Sequence, residues 1–193
     1  MATSDGEKWD ERYRNATPPH GVAAPEIVSA HLGDLGTGNR VLDVACGFGD
    51  AGLWLAGRGA DVTFADVSAV ALAAVRERAD QLAASITTTV VDLETEPVPA
   101  GPWDAITNIH YLDRDLLARL TAELSSTGRL VVAIATTTNL ERHERPSARF
   151  LLDPDELPTL LPEAHVLHFS EAWRANDVHE AWGVFTTTRQ ASL

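Results

Sequence analysis

The segment Val41-Leu42-Asp43-Val44-Ala45-Cys46-Gly47-Phe48-Gly49 decides the fold of this chain. With Arg40 it begins as a short apolar run, which two glycines close, and residues 50–57 then have the composition of a helix. Because glycine has no Cβ, the turn can bring its backbone close to a bound molecule. The segment therefore predicts a strand, a glycine-rich turn and a helix, with a ligand held at the turn.

Strands and helices alternate further along the chain. Ser68 and Asp113 are placed to cap two helices whose apolar residues recur at helical spacing, and Gly128 is expected to end the second of them. Four more apolar stretches predict strands, at 61–66, 86–91, 103–109 and 129–135. This alternation is typical of parallel strands joined by right-handed crossovers. We therefore expect a doubly wound α/β domain with a mostly parallel sheet.

The two ends of the chain complete the predicted domain. Residues 24–35 predict a helix ahead of the first strand. After the fifth strand the pattern predicts a polar loop, a short helix and two closing strands, at 139–149, 153–161, 164–172 and 180–188. We expect one domain over residues 1–193.

Composition and charge limit the partners of the protein. Its 193 residues, 45% hydrophobic and 22% charged, suit one globular domain. A formal net charge of −13 without a basic stripe argues against nucleic acid, and a single cysteine argues against a metal site. No apolar run has membrane-spanning length, and residues 1–10 lack a secretory core. We expect a cytoplasmic monomer or homodimer without metal, membrane or nucleic-acid partners.

Three carboxylates fall at the ends of consecutive predicted strands. Asp43 lies just before the glycine turn, Asp66 closes the second strand and Asp92 follows the third. Ligands of open α/β sheets bind at the carboxyl ends of the strands. Carboxylates at this edge favour a ligand that carries positive charge and hydroxyl groups.

The same turn also fits a dinucleotide-binding pattern. Gly47, Gly49 and Gly52 have the required spacing, and Asp66 follows at the distance of a ribose-binding acid. Against this stands Asp50, which would place a negative charge where the helix N-terminus should receive a pyrophosphate. An NAD-type oxidoreductase therefore stays open as the alternative.

The segment Val41–Gly49 resembles the first motif of class I S-adenosylmethionine (SAM)-dependent methyltransferases, and the resemblance covers nearly the whole chain. It implies a Rossmann-like, seven-stranded sheet with an antiparallel last strand, SAM as cofactor and S-adenosylhomocysteine as product. Implied contacts are Asp43, Gly47 and Gly49 with the methionine part, Asp66 with the ribose, and Asp92 and Leu93 with the adenine; Ala45, Val67 and Asn108 are further expected cofactor contacts.

Shorter stretches resemble a narrower group. Residues 9–13, 149–153 and 178–181 are similar to segments of small methyltransferases near the tellurite-resistance and thiopurine-methylating groups. The likeness implies a small-molecule acceptor, with a thiol, chalcogenide, amine or hydroxyl as the methylated group. A non-catalytic SAM-binding protein with the same fold is a second alternative.

Candidate acceptor-side residues follow the fourth strand. Methyl transfer depends mainly on holding the acceptor in line, and a base helps when the acceptor is protonated. His110 and Tyr111 would lie beside the reacting methyl group, and His179 near the last strand is a third candidate for a catalytic role. Asn108 and Tyr111 have the outer spacing of an Asn-Pro-Pro-Tyr motif of nucleic-acid methyltransferases, but both prolines are absent.

The N-terminal segment predicts a lid. Trp9, Arg12 and Tyr13 would share one face if residues 5–14 are helical. Arg12 could pair with the SAM carboxylate while the two rings cover its sulfonium. Residues 17–21, with two prolines and a glycine, suit a hinge. We expect residues 1–21 to close over the site, the alternative being that Trp9 only anchors the helix by packing.

Overall fold

Seven strands form one sheet in the computed structural model of the protein, which describes residues 5–187. In spatial order they are β3 (Ile86–Val90), β2 (Asp61–Asp66), β1 (Arg40–Val44), β4 (Trp103–Ile109), β5 (Leu124–Ala135), β7 (His179–Thr186) and β6 (His165–Trp173). The pairs from β3 to β5 are parallel, and β7 runs antiparallel to both of its neighbours. The predicted sheet with an antiparallel last strand is confirmed.

Helices cover both faces of this sheet. They are α1 (Asp5–Arg14), α2 (Glu26–Leu32), α3 (Asp50–Ala56), α4 (Ala69–Gln81), α5 (Arg114–Leu120) and α6 (Glu156–Thr159), with single 3₁₀ turns at Thr121–Glu123, Thr137–Glu141 and Ala148–Phe150. Apolar residues of α2, α3 and α4 form one core layer, and those of α5 and α6 form the other. Val41 and Leu42 are both fully buried, one in each layer, which explains why β1 is apolar at consecutive positions.

Side-chain caps begin two of the helices as expected. The Ser68 hydroxyl accepts a hydrogen bond from the Ala71 nitrogen, and Oδ1 of Asp113 accepts one from the Leu116 nitrogen. Each bond satisfies a donor that a helix N-terminus leaves free. Both turns lie at the carboxyl edge of the sheet, so the caps also fix loops beside the site.

The helix after Asp113 ends earlier than predicted. It stops at Leu120, and Gly128 lies inside β5 rather than at a helix end. There the pairing of β4 with β5 shifts from Trp103 opposite Leu124 to Ala105 opposite Arg129. A Cβ on Gly128 would lie 2.5 Å from the Trp103 carbonyl oxygen. The glycine is therefore required by a close backbone approach at this irregularity.

Two other predicted elements change at their ends. The helix predicted at 153–161 is one turn, Glu156–Thr159, because Asp155 takes a left-handed conformation (φ 60°) just before it. The last strand ends at Thr186, and the predicted position 188 and residues 1–4 of the predicted lid lie outside the described residues. Between residues 5 and 187 no helix combines the length and apolar character needed to span a bilayer.

Candidate active site

A cavity of about 290 Å³ opens at the carboxyl edge of the parallel strands, beneath α1. Its walls come from the ends of β1, β2 and β4, the segment after β3, and α1. Eleven residues predicted from the sequence line it: Trp9, Arg12, Tyr13, Ala45, Gly47, Asp66, Val67, Asp92, Leu93, His110 and Tyr111. The fold thus brings the predicted cofactor side and acceptor side to one cavity.

Asp43 lies beneath the cavity instead of lining it. Its buried carboxylate accepts hydrogen bonds from the Gly52 nitrogen (3.0 Å) and the Thr107 hydroxyl (2.7 Å). Burial raises the pKa of Asp43 to about 7, against the opposing effect of these two hydrogen bonds. The expected contact with the methionine part is therefore replaced by a supporting role, since Asp43 ties the first turn of α3 to β4.

The two motif glycines have different surroundings. Gly47 (φ 53°) faces the cavity, and a Cβ there would lie 2.6 Å from the Tyr13 hydroxyl. Gly49 (φ 75°) does not line the cavity, and its Cβ would lie 2.9 Å from atoms of Phe64 and Val75. Gly47 therefore leaves space for a ligand, whereas Gly49 leaves space for the core.

Two further predicted site residues lie outside the lining. Asn108 is fully buried, and neither polar atom of its side chain has a partner within the described part of the chain. His179 lies 2.7 Å through Nδ1 from the Thr136 hydroxyl, and its ring meets Trp173 edge-on. The structure directs His179 towards the loop after β5, and it is the next residue, Glu180, that contacts a cavity residue, His110.

Asp66 holds the glycine turn from the end of β2. Its carboxylate accepts hydrogen bonds from the Gly47 and Ser68 nitrogens, both at 2.8 Å. Burial raises the pKa of Asp66, although the backbone hydrogen bonds oppose the rise. An acceptor-rich group thus stands in the wall where a ligand with hydroxyl groups would meet it.

Helix α1 docks over this part of the cavity through Asp10. Its Oδ1 accepts hydrogen bonds from the Ser68 hydroxyl (2.6 Å) and the Val70 nitrogen (3.1 Å). The hydrogen bond from Ser68 lowers the pKa of Asp10, and burial only partly offsets this effect. Ser68 also donates its backbone N–H to Asp66. A short chain of hydrogen bonds therefore connects α1 with the cavity wall.

An aromatic layer extends from α1 into the cavity. The rings of Trp9 and Tyr13 stack with centroids 5.8 Å apart, and Tyr13 meets Phe48 edge-on at 5.0 Å. The Arg12 guanidinium lies 4.9 Å from the Trp9 ring centroid. Burial and the Asp66 charge raise the pKa of Tyr13 to about 12, which keeps its hydroxyl protonated at neutral pH. The side chains of Trp9, Arg12 and Tyr13 thus cover the cavity and contribute one positive charge.

Arg78 of α4 fixes the glycine turn from below, and sequence reasoning missed it. Its guanidinium donates to the carbonyl oxygens of Phe48 and Gly21 and pairs with Asp50 at 2.6 Å. The negative charge of Asp50 is thereby neutralised, so this residue does not by itself exclude a pyrophosphate at the helix N-terminus. The available signal was the place of Arg78 on the apolar face of α4 beside Val75, because a buried arginine needs partners.

The imidazole of His110, on the opposite wall, is paired with a buried carboxylate. Nε2 of His110 lies 2.8 Å from Oε1 of Glu180, a residue only 4% exposed. Trp182 donates from Nε1 to the other carboxylate oxygen at 2.7 Å. Burial raises the pKa of Glu180, but the hydrogen bonds from His110 and Trp182 outweigh it and leave this pKa below its ordinary value.

Tyr111 and Glu94 complete this wall. The Tyr111 hydroxyl donates to the Glu94 carboxylate at 3.3 Å, and both residues line the cavity. Burial and the negative charge of Glu94 raise the pKa of Tyr111, so its hydroxyl acts as a donor and not as a base. Glu94 was not predicted, because nothing in the sequence distinguishes it from a solvated acid after a strand.

Comparison with known proteins decides the family. Residues 41–129 match a family model described as "Methyltransferase domain". Over these residues the chain carries a methyltransferase domain. This confirms the resemblance inferred from Val41–Gly49 and favours it over the dinucleotide alternative.

Solved methyltransferases share the fold of this domain. TehB from Haemophilus influenzae superposes with a TM-score of 0.71 at 20% identity, over 95% of this chain and 67% of that chain. Geranyl diphosphate C-methyltransferase from Streptomyces coelicolor A3(2), solved with Mg²⁺, geranyl diphosphate and S-adenosylhomocysteine, gives 0.71 at 15% identity, over 97% and 99%. The predicted likeness to the tellurite-resistance (TehB) group is thereby confirmed in fold.

One curated relative matches over a short stretch. Ribosomal RNA small subunit methyltransferase C of Chromohalobacter salexigens is 51% identical over 51 residues, which are 26% of this chain and 15% of that protein. The match thus spans less than a sixth of the relative and supports the domain family without extending to its substrate.

Proposed function

We propose that this protein transfers the methyl group of SAM to a small-molecule acceptor. The observation that carries the proposal is that one cavity is lined by Gly47 and Asp66 as well as by His110 and Tyr111. Donor-side and acceptor-side groups must share one water-poor space for an in-line transfer.

The residues present suit SAM. Asp66 offers carboxylate oxygens to ribose hydroxyls, and Asp92 with the Leu93 backbone is placed after β3 for an adenine amino group. The backbone of Gly47 is accessible to the methionine part because this residue has no Cβ, an atom that would lie 2.6 Å from the Tyr13 hydroxyl. Arg12 supplies a positive charge for the carboxylate of SAM.

When bound, SAM supplies a methyl group already activated on a sulfonium centre. The chain contributes position and exclusion of water: α1 covers the cavity, and the rings of Trp9 and Tyr13 present faces that attract a positive charge. His110 and Tyr111 hold the acceptor from the opposite wall. His179 has no place in this scheme, because its ring is bound to Thr136.

A small acceptor suits the charge of the cavity. Asp5, Asp92 and Glu94 line it, and the chain carries a net charge of −13, which repels a phosphate backbone. The geranyl diphosphate enzyme is a precedent for a small acceptor on this fold. We place the reaction in the cytoplasm and expect a monomer or homodimer, both on the sequence alone.

A turnover assay with mass detection tests the proposal. The protein is incubated with SAM and, separately, benzenethiol, benzylamine, catechol, benzeneselenol and ribosomal RNA. We expect S-adenosylhomocysteine together with a product heavier by one methyl group for a small molecule. Methylated RNA alone would contradict the small-molecule acceptor, and SAM binding without any product would favour the non-catalytic alternative.

A further inference from the structure

The carboxylate of Glu180 is buried in strand β7, a position where an apolar side chain would serve the sheet equally well. The residues that follow it in β7 include Ala181 and Val184, which are apolar core residues. A buried carboxylate is costly unless charged or polar partners surround it. Glu180 meets this condition with two donors, and one of them is a cavity residue, His110.

The Glu180 carboxylate determines which ring nitrogen of His110 carries the proton. An ionised carboxylate only accepts hydrogen bonds, so the ring nitrogen facing it must donate. Nε2 of His110, at 2.8 Å from Glu180, is that nitrogen. The lone pair of the neutral ring is then on Nδ1.

The backbone also holds the imidazole in place. His110 has a left-handed conformation (φ 64°), and its N–H donates to the Ala133 oxygen at 2.7 Å. Its side chain remains 61% exposed and lines the cavity, in contrast to the buried Glu180. Glu180 is therefore fixed in the protein interior, whereas the imidazole of His110 is open to the cavity.

We propose that Glu180 is a positioning residue that holds His110 in the Nε2–H tautomer, so that Nδ1 serves as the base for an acceptor with an N–H or O–H group. The inference rests on the proposed function and narrows its acceptor class. An anionic chalcogenide needs no base, whereas an alcohol, phenol or protonated amine must lose a proton. A histidine base that is oriented by a buried carboxylate is therefore useful only for an alcohol, phenol or amine acceptor.

The step balances without a further reactant. The N–H or O–H bond of the acceptor breaks and its proton moves to Nδ1 of His110. The freed electron pair forms the bond to the methyl carbon, and the electrons of the sulfur–carbon bond return to sulfur. The imidazolium stays paired with Glu180 until water takes the proton.

Long-range ¹H–¹⁵N correlation spectra of histidine-labelled protein test the pair without any acceptor. His110 is assigned by its absence in a His110→Gln variant. We expect the Nε2–H tautomer in the parent protein. An Nδ1–H tautomer there would overturn the proposal, whatever the turnover results.

Glu180→Gln supplies the second test. A carboxamide has one acceptor oxygen, and Trp182, which can only donate, competes for it with His110. We expect the amide NH₂ to face Nε2 and to switch His110 to Nδ1–H. On benzylamine or catechol, kcat should fall by about 10²–10⁴-fold while the Kd for SAM stays within about threefold. Glu171→Gln, on the neighbouring strand β6, removes the same charge and should leave kcat and the tautomer unchanged.

A double variant separates positioning from structural support. Adding Trp182→Phe to Glu180→Gln removes the competing donor and keeps an aromatic face for Arg174, which lies 3.6 Å from the ring centroid. We expect the Nε2–H tautomer and part of kcat to return. No recovery of either, or parent-like turnover of Glu180→Gln alone, would overturn the proposal.

Acceptor preference separates this inference from the proposed function. If the parent methylates benzeneselenol or benzenethiol but neither benzylamine nor catechol, methyl transfer stands and the acceptor class inferred here is wrong. If no acceptor yields S-adenosylhomocysteine, the proposed function fails, and the spectra of the parent still decide whether Glu180 fixes the tautomer. Should Glu180→Gln not fold, the parent tautomer and the acceptor preference decide.

Discussion

Oδ2 of Asp66 accepts a hydrogen bond from the backbone nitrogen of Gly47 at 2.8 Å. The bond joins the end of β2 to the glycine turn after β1, although 19 residues separate the two in sequence. The groups assigned to the ribose and to the methionine part of SAM therefore form one unit. Substitutions in one are expected to affect the other.

Asp66→Ala should weaken SAM binding by about 1–3 kcal/mol, the range for loss of a hydrogen bond to a charged group. It should also lower the free energy of unfolding, because the Gly47 and Ser68 nitrogens lose their acceptor. Calorimetric titration and urea denaturation measure the two effects. Asp92→Ala is the matched variant: its carboxylate accepts hydrogen bonds from the Glu94 nitrogen and the Thr95 hydroxyl, both close in sequence, so affinity should fall with little change in stability. A folded Asp66→Ala with parent affinity would contradict the ribose assignment.

Alanine at Gly47 and at Gly52 should act on different properties. At Gly47 the new Cβ would meet the Tyr13 hydroxyl, the movable end of a side chain, so SAM affinity should fall more than stability. At Gly52 it would lie 2.4 Å from Phe64 and 2.9 Å from the Asp43 carboxylate, so unfolding should require less urea. Gly49→Ala should resemble Gly52→Ala, because its neighbours Phe64 and Val75 belong to the core. Equal loss of affinity and equal stability in all three variants would contradict this division.

Asp43 should make stability depend on pH. Its pKa in the folded protein, about 7, lies above the ordinary value of 3.8, so the folded state binds a proton that the unfolded state releases between these values. The stabilisation is complete below about pH 4 and is lost as pH rises through about 7. Asp43→Asn can still accept from Gly52 and donate to Thr107, but it cannot titrate. Urea denaturation should therefore show the parent losing stability relative to Asp43→Asn over this range, and parallel curves would count against the shift.

Asp10→Ala should open the lid. The substitution removes the acceptor that the Ser68 hydroxyl and the Val70 nitrogen share, so α1 should dock less firmly. We expect SAM affinity to fall several-fold and proteolysis within residues 5–14 to accelerate, with little change in the thermal transition. Glu11→Ala, one residue along on the exposed side of α1, is the control and should behave as the parent. If both variants bind SAM equally well, α1 is only a packing anchor.

The sequence predicted the sheet and the cavity because both depend on local patterns. Apolar runs, caps at Ser68 and Asp113 and the turn at Gly47 give the order of elements, and the fold then brings their carboxyl ends together. Asp66 and Asp92 were found for the same reason. Each stands at a strand end, where parallel strands present their ligands.

The remaining site residues depend on contacts that sequence spacing does not reveal. Glu180 and His110 are 70 residues apart and meet only because β7 inserts beside β5. His179 was selected instead of Glu180, since a histidine suggests catalysis whereas an acid at the start of a closing strand resembles a solvated residue. Arg78 and Asp10 were missed because each acts on backbone groups of another element.

Equilibrium binding of SAM and of NADH to the full chain, measured by isothermal titration calorimetry, tests the central claim most directly. The account predicts saturable heat with SAM that Asp66→Ala weakens, and no saturable heat with NADH. Saturable binding of NADH without binding of SAM would contradict it and return the glycine turn to the dinucleotide pattern.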